Sequence, residues 1–336
     1  MSVVEIYRPY QVSLEQRLRA HLSIAGLDHS VQNLLVVPGV IIPLCIMPGR
    51  FDRQFLVRLA LAALAVTLVA CSNYVINEVL DAPYDRLHPT KRNRPAAQGL
   101  IISWVAYVQW FAMMVAGVGI GFLVSPRFAL TALALWVMGC LYNFPPVRTK
   151  DVPYLDVLTE SANNPLRMLL GWYAVTSVLV PPVSLLASYW MIGAYFMALK
   201  RFSELSETGN RNVAGAYRTP FRYYTPQSLL VSVVFYASAA MLFLGAFIIR
   251  YRMELILAFP LVALTMAVYC KLSFKSGSSV QTREKLYREP LLMASLSATV
   301  VVLAVLFFVR IPQLERFFMP SLPQSSPGVV AALTGK

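Results

Sequence analysis

Residues 77–95, with the sequence NEVLDAPYDRLHPTKRNRP, place oxygen-bearing side chains directly before a run of basic ones. The oxygen-bearing residues are Asn77, Glu78, Asp81 and Asp85. The basic residues are Arg86, Lys91, Arg92 and Arg94. Mg²⁺ in proteins is usually held by one or two carboxylates together with substrate phosphates, and Lys and Arg bind the phosphate oxygens that remain. The segment therefore predicts a site for a divalent metal and a diphosphate.

Helix geometry decides whether these oxygens share one surface. Asn77 and Asp81 are four residues apart, so they lie on one face of a helix, with Glu78 and Asp85 turned modestly to one side. Pro83 tends to break or kink a helix, so we expect Asp85 to lie already in the loop. The alternative is a solvated helix end with charges at the lipid headgroups. The carboxylates are followed directly by basic residues, which favours the metal and diphosphate site over a solvated helix end. Carboxylates without a compensating charge are costly at the end of a membrane span.

A second candidate segment, YNFPPVRTK at residues 142–150, carries Arg148 and Lys150 behind a pair of prolines. We predict that both bind phosphate and that Tyr142 lies beside the substrate, where an aromatic ring stabilises positive charge. Anchoring at the membrane surface is the alternative for the two cations. Arg167 lies further along the chain, in an apolar stretch that also carries several polar residues. It is either a substrate-binding residue or the ion-pair partner of Glu160.

The third segment is KRFSELSE, residues 200–207, which carries Lys200, Arg201, Glu204 and Glu207. Lys200 and Glu204 are four residues apart, so an ordinary stabilised helix end is one interpretation. The other is functional, since this is again a polar end of an apolar segment. Three such ends with paired carboxylates and cations are expected to converge on one cavity.

The elements that position these segments are membrane helices. The chain has 336 residues, 57% hydrophobic and 13% charged, against roughly a quarter charged in a soluble domain. Nine apolar stretches approach the ~20 residues that a spanning helix needs. They lie at about 31–49, 54–80, 99–124, 127–144, 154–176, 180–201, 227–249, 253–271 and 290–311. We predict an all-α, polytopic membrane bundle of about nine transmembrane helices around a central cavity, with the polar fifth segment lining the site.

The positive charge of the chain is distributed as in a membrane protein. Nineteen of the 29 Lys and Arg residues fall in the N-terminal region and in alternate loops, which the positive-inside rule places in the cytoplasm. This accounts for the net charge of +13 without nucleic acid. We expect a cytoplasmic amphipathic leader at 1–30, a membrane domain at 31–311 and a mobile tail at 312–336. The four cysteines form no metal or disulfide pattern.

The motif N-E-x-x-D-x-x-x-D at 77–85 resembles the first aspartate-rich motif of the UbiA superfamily of intramembrane prenyltransferases. The family commonly has Asp where Glu78 stands. Within the superfamily, DRLHPTKRNRPAAQG at 85–99 and KRFSE at 200–204 are similar to the branch that contains decaprenyl-phosphate phosphoribosyltransferase. The resemblance implies nine helices around a cavity, an active site on the cytoplasmic side of a membrane that we expect to be bacterial, and Mg²⁺ as cofactor.

The resemblance also implies roles for individual residues. Mg²⁺ would be held by Asn77, Glu78, Asp81 and Asp85, with Glu204 and Glu207 as a second metal-binding segment. Asp81, Asp85, Lys91 and Lys150 would be catalytic. The substrate-binding residues would be Tyr142, Arg86, Arg92, Arg94, Arg148, Arg167, Lys200 and Arg201.

The expected reaction moves 5-phosphoribosyl from phosphoribosyl pyrophosphate onto a polyprenyl phosphate. Transfer of an isoprenoid chain from a prenyl diphosphate to an aromatic or isoprenoid acceptor is the alternative. A channel or transporter is a third hypothesis from another class. Inverted repeats and interrupted half-helices would favour it, but the sequence shows neither.

Overall fold

The computed structural model describes residues 13–26, 33–47, 52–281 and 283–318. Within these ranges the chain forms twelve α-helices joined by turns and short 3₁₀ helices, with no β-strand. In chain order the helices are α1 (Leu14–Ile24), α2 (Val37–Ile46), α3 (Arg53–Asp85), α4 (Ser103–Val124), α5 (Pro126–Asn143), α6 (Leu155–Val175), α7 (Val183–Thr208), α8 (Arg211–Tyr217), α9 (Pro226–Tyr251), α10 (Phe259–Ser273), α11 (Pro290–Phe308) and α12 (Pro312–Phe318). The prediction of an all-helical fold is confirmed.

Each of the nine predicted membrane segments corresponds to one helix, from α2 to α7 and from α9 to α11. In the described part of the chain, six helical segments are long and apolar enough to cross a membrane: α3, α4, α7, α9, α11, and α10 with the 3₁₀ turn before it. Helix α2 is shorter, with 10 residues, and α6 carries the polar residues expected of a segment that lines a site.

Two helices run further than the sequence predicted, and both extensions carry site residues. Helix α3 passes through Pro83 and ends at Asp85, so the expectation that Asp85 lies in the loop is wrong. Proline removes its own amide donor from the helix, but the backbone N–H of Arg86 still donates to the carbonyl of Ala82 at 3.2 Å. Helix α7 reaches Thr208 and stops at Gly209, whose φ of 63° is left-handed, a conformation that glycine adopts without steric cost.

Helix α6 lies in the middle of the bundle and contacts α2, α3, α5 and α7. Its approach to α2 depends on two glycines, since a Cβ atom on Gly39 would overlap the carbonyl oxygen of Met168 and one on Gly171 would overlap that of Val36. Apolar clusters flank α6 on both sides, one among α3, α5 and α6 and the other among α7, α9 and α10. The polar residues of α6 therefore point between other helices.

Only parts of the predicted leader and tail are described. Of the leader, residues 13–26 are described, and they contain α1 (Leu14–Ile24). In α1, Ala20 and Ile24 are buried while Leu14 and Leu18 are exposed. Of the predicted tail, residues 312–318 form the short helix α12, and 319–336 lie outside the described residues.

Candidate active site

The polar segments meet in a cavity of about 450 Å³. It is bounded by the C-terminal parts of α3, α5 and α7, by the middle of α6, and by the loops that follow α3, α5 and α8. Eleven of the predicted site residues line it: Asn77, Asp81, Asp85, Lys91, Arg94, Tyr142, Arg148, Lys150, Arg167, Lys200 and Arg201. The three segments thus converge on one chamber. Glu78, Arg86, Arg92, Glu204 and Glu207 are not among its lining residues.

The cavity wall carries more positive than negative charge. Its eight basic residues are Lys91, Arg94, Arg148, Lys150, Arg167, Lys200, Arg201 and Arg218. Its four acidic residues are Asp81, Asp85, Asp151 and Glu160. The surplus of four positive charges suits an anionic ligand, and the enclosed position strengthens its attraction because the wall screens less than bulk water.

One face of α3 supplies a row of oxygen-bearing side chains to the cavity. Asn73, Asn77, Asp81 and Asp85 follow one another at intervals of four residues, and all four line the chamber. The side-chain amide of Asn77 donates to Asn143 Oδ1 at 2.7 Å, so its own oxygen is directed away from that contact. This row has the donor chemistry of a Mg²⁺ site.

The loop after α5 brings two cations onto Asp81. Arg148 Nη2 lies 2.9 Å from Asp81 Oδ1, and Lys150 Nζ pairs with the same oxygen. Lys150 also donates to Asn143 Oδ1 at 2.7 Å, and Arg148 Nε donates to Asp151 Oδ2 at 2.8 Å. Burial lowers the pKa of Lys150 to about 8, although the charge of Asp81 opposes this shift.

The loop after α3 brings Lys91 and Arg94 to the cavity. Arg94 Nη1 donates to Asp85 Oδ2 at 2.8 Å, which fixes the guanidinium beside the end of α3. Burial, followed by the positive charge of Arg218, lowers the pKa of Lys91 to about 8. The pKa of Lys91 therefore lies nearer to neutral pH than that of a solvated lysine, and an incoming anion favours the charged form.

Glu78 and Arg86, predicted as a metal ligand and a phosphate-binding residue, hold this loop in place. Glu78 Oε1 accepts the backbone N–H of Ala96 at 3.2 Å, and Arg86 Nε donates to the carbonyl of Ala97 at 3.0 Å. They join the last turns of α3 to the far end of the loop. Arg92 is exposed on its outer side.

Glu204 lies among basic side chains. Its Oε1 is 3.6 Å from His88 Nε2, and its Oε2 is 3.7 Å from Arg201 Nη1 and 4.0 Å from Arg218 Nε. The exposed Glu207 accepts a hydrogen bond from Gln281 Nε2 at 2.5 Å. The two carboxylates predicted as a second metal-binding segment are therefore placed with other partners.

A buried network at the start of α6 supports Arg201 from behind. Asp156 is fully buried and accepts hydrogen bonds from Arg201 Nε at 2.9 Å and from the hydroxyl of Tyr224 at 2.5 Å. Tyr224 in turn accepts the backbone N–H of Tyr154 at 2.6 Å. A buried carboxylate needs such partners, and here they tie α6, α7 and the segment before α9 together.

Several lining residues were missed by the sequence analysis. Asn73 extends the four-residue spacing of Asn77 and Asp81 by one turn, so helical periodicity alone would have found it. Asn143, Asp151, Tyr217, Arg218 and Gln281 also line the cavity. Arg218 lies in the polar connection between α8 and α9, where the sequence has no spacing that marks it.

Comparison with known proteins places this architecture in a family. The UbiA prenyltransferase family model matches residues 35–297. The chain is 28% identical over 219 residues to the decaprenyl-phosphate phosphoribosyltransferase of Mycobacterium tuberculosis, covering 64% of this chain and 69% of that protein. It is 30% identical over 226 residues to the nodulation protein NoeC of Azorhizobium caulinodans, covering 66% and 68%.

A solved structure shares the fold. It is a UbiA homologue from Archaeoglobus fulgidus bound to DMAPP and Mg²⁺, with a TM-score of 0.64 and 19% identity over 88% of this chain and all of that one. The family model covers well over half of the sequence, and the apolar helices surround the predicted chamber. It follows that the chain is an integral membrane transferase of the UbiA prenyltransferase family.

Proposed function

We propose that the protein transfers 5-phosphoribosyl from phosphoribosyl pyrophosphate to a polyprenyl phosphate, with release of pyrophosphate. The observation that carries this proposal is the surplus of four positive charges in one chamber. Both substrates of this reaction are phosphorylated, so a wall rich in Lys and Arg fits them together. The relative from Mycobacterium tuberculosis, which is named a decaprenyl-phosphate phosphoribosyltransferase, supports the choice of the transferred group and of the acceptor.

Mg²⁺ is the proposed cofactor, and the residues present fit it. Asn77, Asp81 and Asp85 offer oxygen ligands along one helix face. Both ion pairs of Asp81 involve Oδ1, which leaves Oδ2 available. Among the described His, Cys, Asp and Glu residues, no group of three is close enough to hold a metal, so substrate phosphates would complete the coordination, as is usual for Mg²⁺. Bound there, it would neutralise charge on the leaving pyrophosphate.

The surrounding cations would stabilise the same leaving group. As the bond between C1 of the ribose and the pyrophosphate oxygen breaks, negative charge grows on pyrophosphate and positive charge on C1. Four cations line the cavity near the acidic end of α3: Lys91, Arg94, Arg148 and Lys150. There they can stabilise the negative charge that develops on pyrophosphate. An oxygen of the acceptor phosphate then forms the new bond to C1.

Prenyl transfer from a prenyl diphosphate is the second candidate. It is favoured by the fold shared with the Archaeoglobus fulgidus homologue, which binds DMAPP and Mg²⁺. In that case the aromatic ring of Tyr142, which lies 5.5 Å from Lys150 Nζ, would face an allylic cation instead of a sugar.

One assay separates the two candidates. Purified protein is incubated with Mg²⁺ in two mixtures. One contains labelled phosphoribosyl pyrophosphate and a polyprenyl phosphate, and the other contains a labelled prenyl diphosphate and an aromatic or isoprenoid acceptor. Labelled phosphoribosyl lipid supports the leading proposal. Turnover of the prenyl diphosphate onto an aromatic or isoprenoid acceptor, without phosphoribosyl product, would reverse the order.

We also propose that the protein lies in a bacterial plasma membrane and that the chamber opens on the cytoplasmic side. The loops that carry Lys91, Arg94, Arg148 and Lys150 all reach the same cavity, and basic loops stay on the cytoplasmic side. The exposed Arg92 provides the test. A cysteine at this position, in a background without the native cysteines, should react with an impermeant maleimide in inverted vesicles and resist it in right-side-out vesicles. The opposite pattern would overturn the orientation.

A further inference from the structure

The third segment, KRFSELSE at residues 200–207, is built differently from a metal site. Glu204 has three basic neighbours within 4.0 Å, namely His88, Arg201 and Arg218. His88 Nδ1 accepts the backbone N–H groups of Thr90 and Lys91, so its Nε2 carries the proton and is directed at Glu204. A divalent cation at Glu204 would stand against the positive charges of Arg201 and Arg218 and against the N–H group of His88.

The two arginines beside Glu204 both reach the cavity. Arg201 and Arg218 line it, whereas Glu204 does not. Arg201 is held on one side by Asp156 and on the other by Glu204. Arg218 Nε is buried and has no hydrogen-bond partner within the described ranges, and its side chain is 16% exposed. The two carboxylates thus hold Arg201 at the wall of the cavity, where its side chain is 3% exposed, and Arg218 is the more exposed of the two arginines.

We propose that Arg201 and Arg218 form a metal-independent subsite for a phosphate monoester, and that Glu204 is the positioning residue that orients them. This inference rests on the proposed function, which brings two phosphorylated substrates into one cavity. Asp81 and Asp85 would serve the diphosphate and its metal, and the arginine pair would serve the second phosphate. Planar guanidinium groups bind phosphate oxygens in pairs and stay charged at any relevant pH.

The phosphate monoester has two possible sources with the same chemistry. One is the 5-phosphate of the donor, and the other is the phosphate head of the lipid acceptor. Steady-state kinetics of Arg218→Gln distinguish them. A rise in KM for phosphoribosyl pyrophosphate alone assigns the subsite to the donor, a rise in KM for polyprenyl phosphate alone assigns it to the acceptor, and no change in either overturns the proposal.

Binding measurements test the subsite independently of transfer. Ribose 5-phosphate and farnesyl monophosphate are titrated in EDTA, and pyrophosphate is titrated with Mg²⁺. Arg218→Gln should weaken the binding of a monoester by about 10- to 100-fold, as expected for loss of a charge-assisted hydrogen bond, and change Mg²⁺-pyrophosphate binding by less than about threefold. Asp81→Asn should show the reverse pattern, with weaker binding of Mg²⁺-pyrophosphate and little change in the binding of a monoester. Arg211→Gln, at the exposed start of α8, is the matched control.

The metal-ion count tests the role of Glu204. Mn²⁺ bound in the presence of pyrophosphate is counted by electron paramagnetic resonance in wild type, Glu204→Gln and Asp81→Asn. We expect Glu204→Gln to keep the wild-type count while weakening monoester binding, and Asp81→Asn to lose Mn²⁺. Loss of one Mn²⁺ in Glu204→Gln would make Glu204 a metal ligand and overturn the proposal.

The outcomes also separate this inference from the proposed function. Monoester binding that depends on Arg218, in a protein that makes no phosphoribosyl lipid, would keep the subsite and reject the reaction. Normal phosphoribosyl transfer and normal monoester binding by Arg218→Gln would keep the reaction and reject the subsite. Arg218→Lys, which keeps the charge without the planar fork, should recover only part of the affinity.

Discussion

Arg148 and Asp81 are 67 residues apart in the chain, yet Arg148 Nη2 lies 2.9 Å from Asp81 Oδ1 at the wall of the cavity. Lys150 pairs with the same oxygen. A metal bound through Oδ2 would therefore leave both ion pairs in place. One carboxylate can hold the metal through one oxygen and orient two phosphate-binding cations through the other. Metal and cations together then place positive charge beside the anionic leaving group, and the fold does not have to change.

Asp81→Asn should lower transferase activity by at least ~100-fold, on the scale of losing one electrostatic stabiliser of the transition state. The side chain keeps its shape but loses the charge that binds metal and holds Arg148 and Lys150. The measurement is product formation by purified, folded protein. The control is Asp52→Asn at the other end of α3, where Asp52 caps the helix by accepting the N–H of Phe55 at 2.7 Å and Asn caps equally well. Activity that survives in Asp81→Asn would remove Asp81 from the metal site.

Lys91→Arg should weaken the dependence of pyrophosphate affinity on pH. The pKa of Lys91 is about 8 because it is buried and faces Arg218 and Arg94, opposed by Glu204 and Asp85. The wild type therefore loses one positive charge as pH rises through about 8, and its affinity for Mg²⁺-pyrophosphate falls, whereas an arginine stays charged.

The measurement is the dissociation constant of Mg²⁺-pyrophosphate between about pH 6.5 and 9.5, compared between variant and wild type so that titration of the ligand cancels. The slope of log Kd against pH should be smaller in Lys91→Arg by up to about one, with the remaining dependence due in part to Lys150. The same substitution at the exposed Lys275, which pairs with Glu289 at 3.3 Å, should leave the slope unchanged. Equal slopes in Lys91→Arg and wild type would show that Lys91 does not contact the anion.

Tyr224→Phe should lower the free energy of unfolding by about 1–3 kcal/mol, because it leaves the buried Asp156 without one of its two hydrogen bonds. Thermal unfolding in detergent should show a midpoint lower by a few degrees. Tyr223→Phe is the control at the neighbouring position, where the side chain is 68% exposed. Equal midpoints for the two variants would contradict a structural role for the Tyr224 hydroxyl.

The sequence located the helices and the acidic and basic segments, because hydrophobic length and the four-residue period of α3 are local properties. It could not assign partners. Glu78 and Asp81 look equally suited to a metal in the motif, yet Glu78 accepts the N–H of Ala96 and Asp81 faces the cavity. Because Glu78 lies three positions before Asp81, its side chain is directed toward the loop after α3. Its role as a partner of that loop is evident only once the packing of the loop is known.

The placement of Glu204 shows the same limit. Its spacing from Lys200 predicts a surface pair on α7, but its neighbours His88 and Arg218 come from two other loops. Arg218 follows Glu204 by 14 residues of polar chain with no periodic signal. Contacts between distant segments are set by the packing of helices, so a single sequence without them cannot separate a metal ligand from a counter-ion.

Gly171→Ala should destabilise the protein by about 1–3 kcal/mol, the usual cost of overpacking. A Cβ atom there would overlap the carbonyl oxygen of Val36 in the turn before α2, and neither backbone can move without separating α2 from α6. Gly245→Ala in α9 is the matched control, since a Cβ atom there meets no atom within 4 Å and alanine favours the helix by about 0.5–1 kcal/mol. Thermal unfolding should therefore give midpoints below wild type for Gly171→Ala and at or above it for Gly245→Ala. Equal stability of the two variants would mean that the contact between α2 and α6 is loose, and that α6 does not owe its position beside the cavity to these glycines.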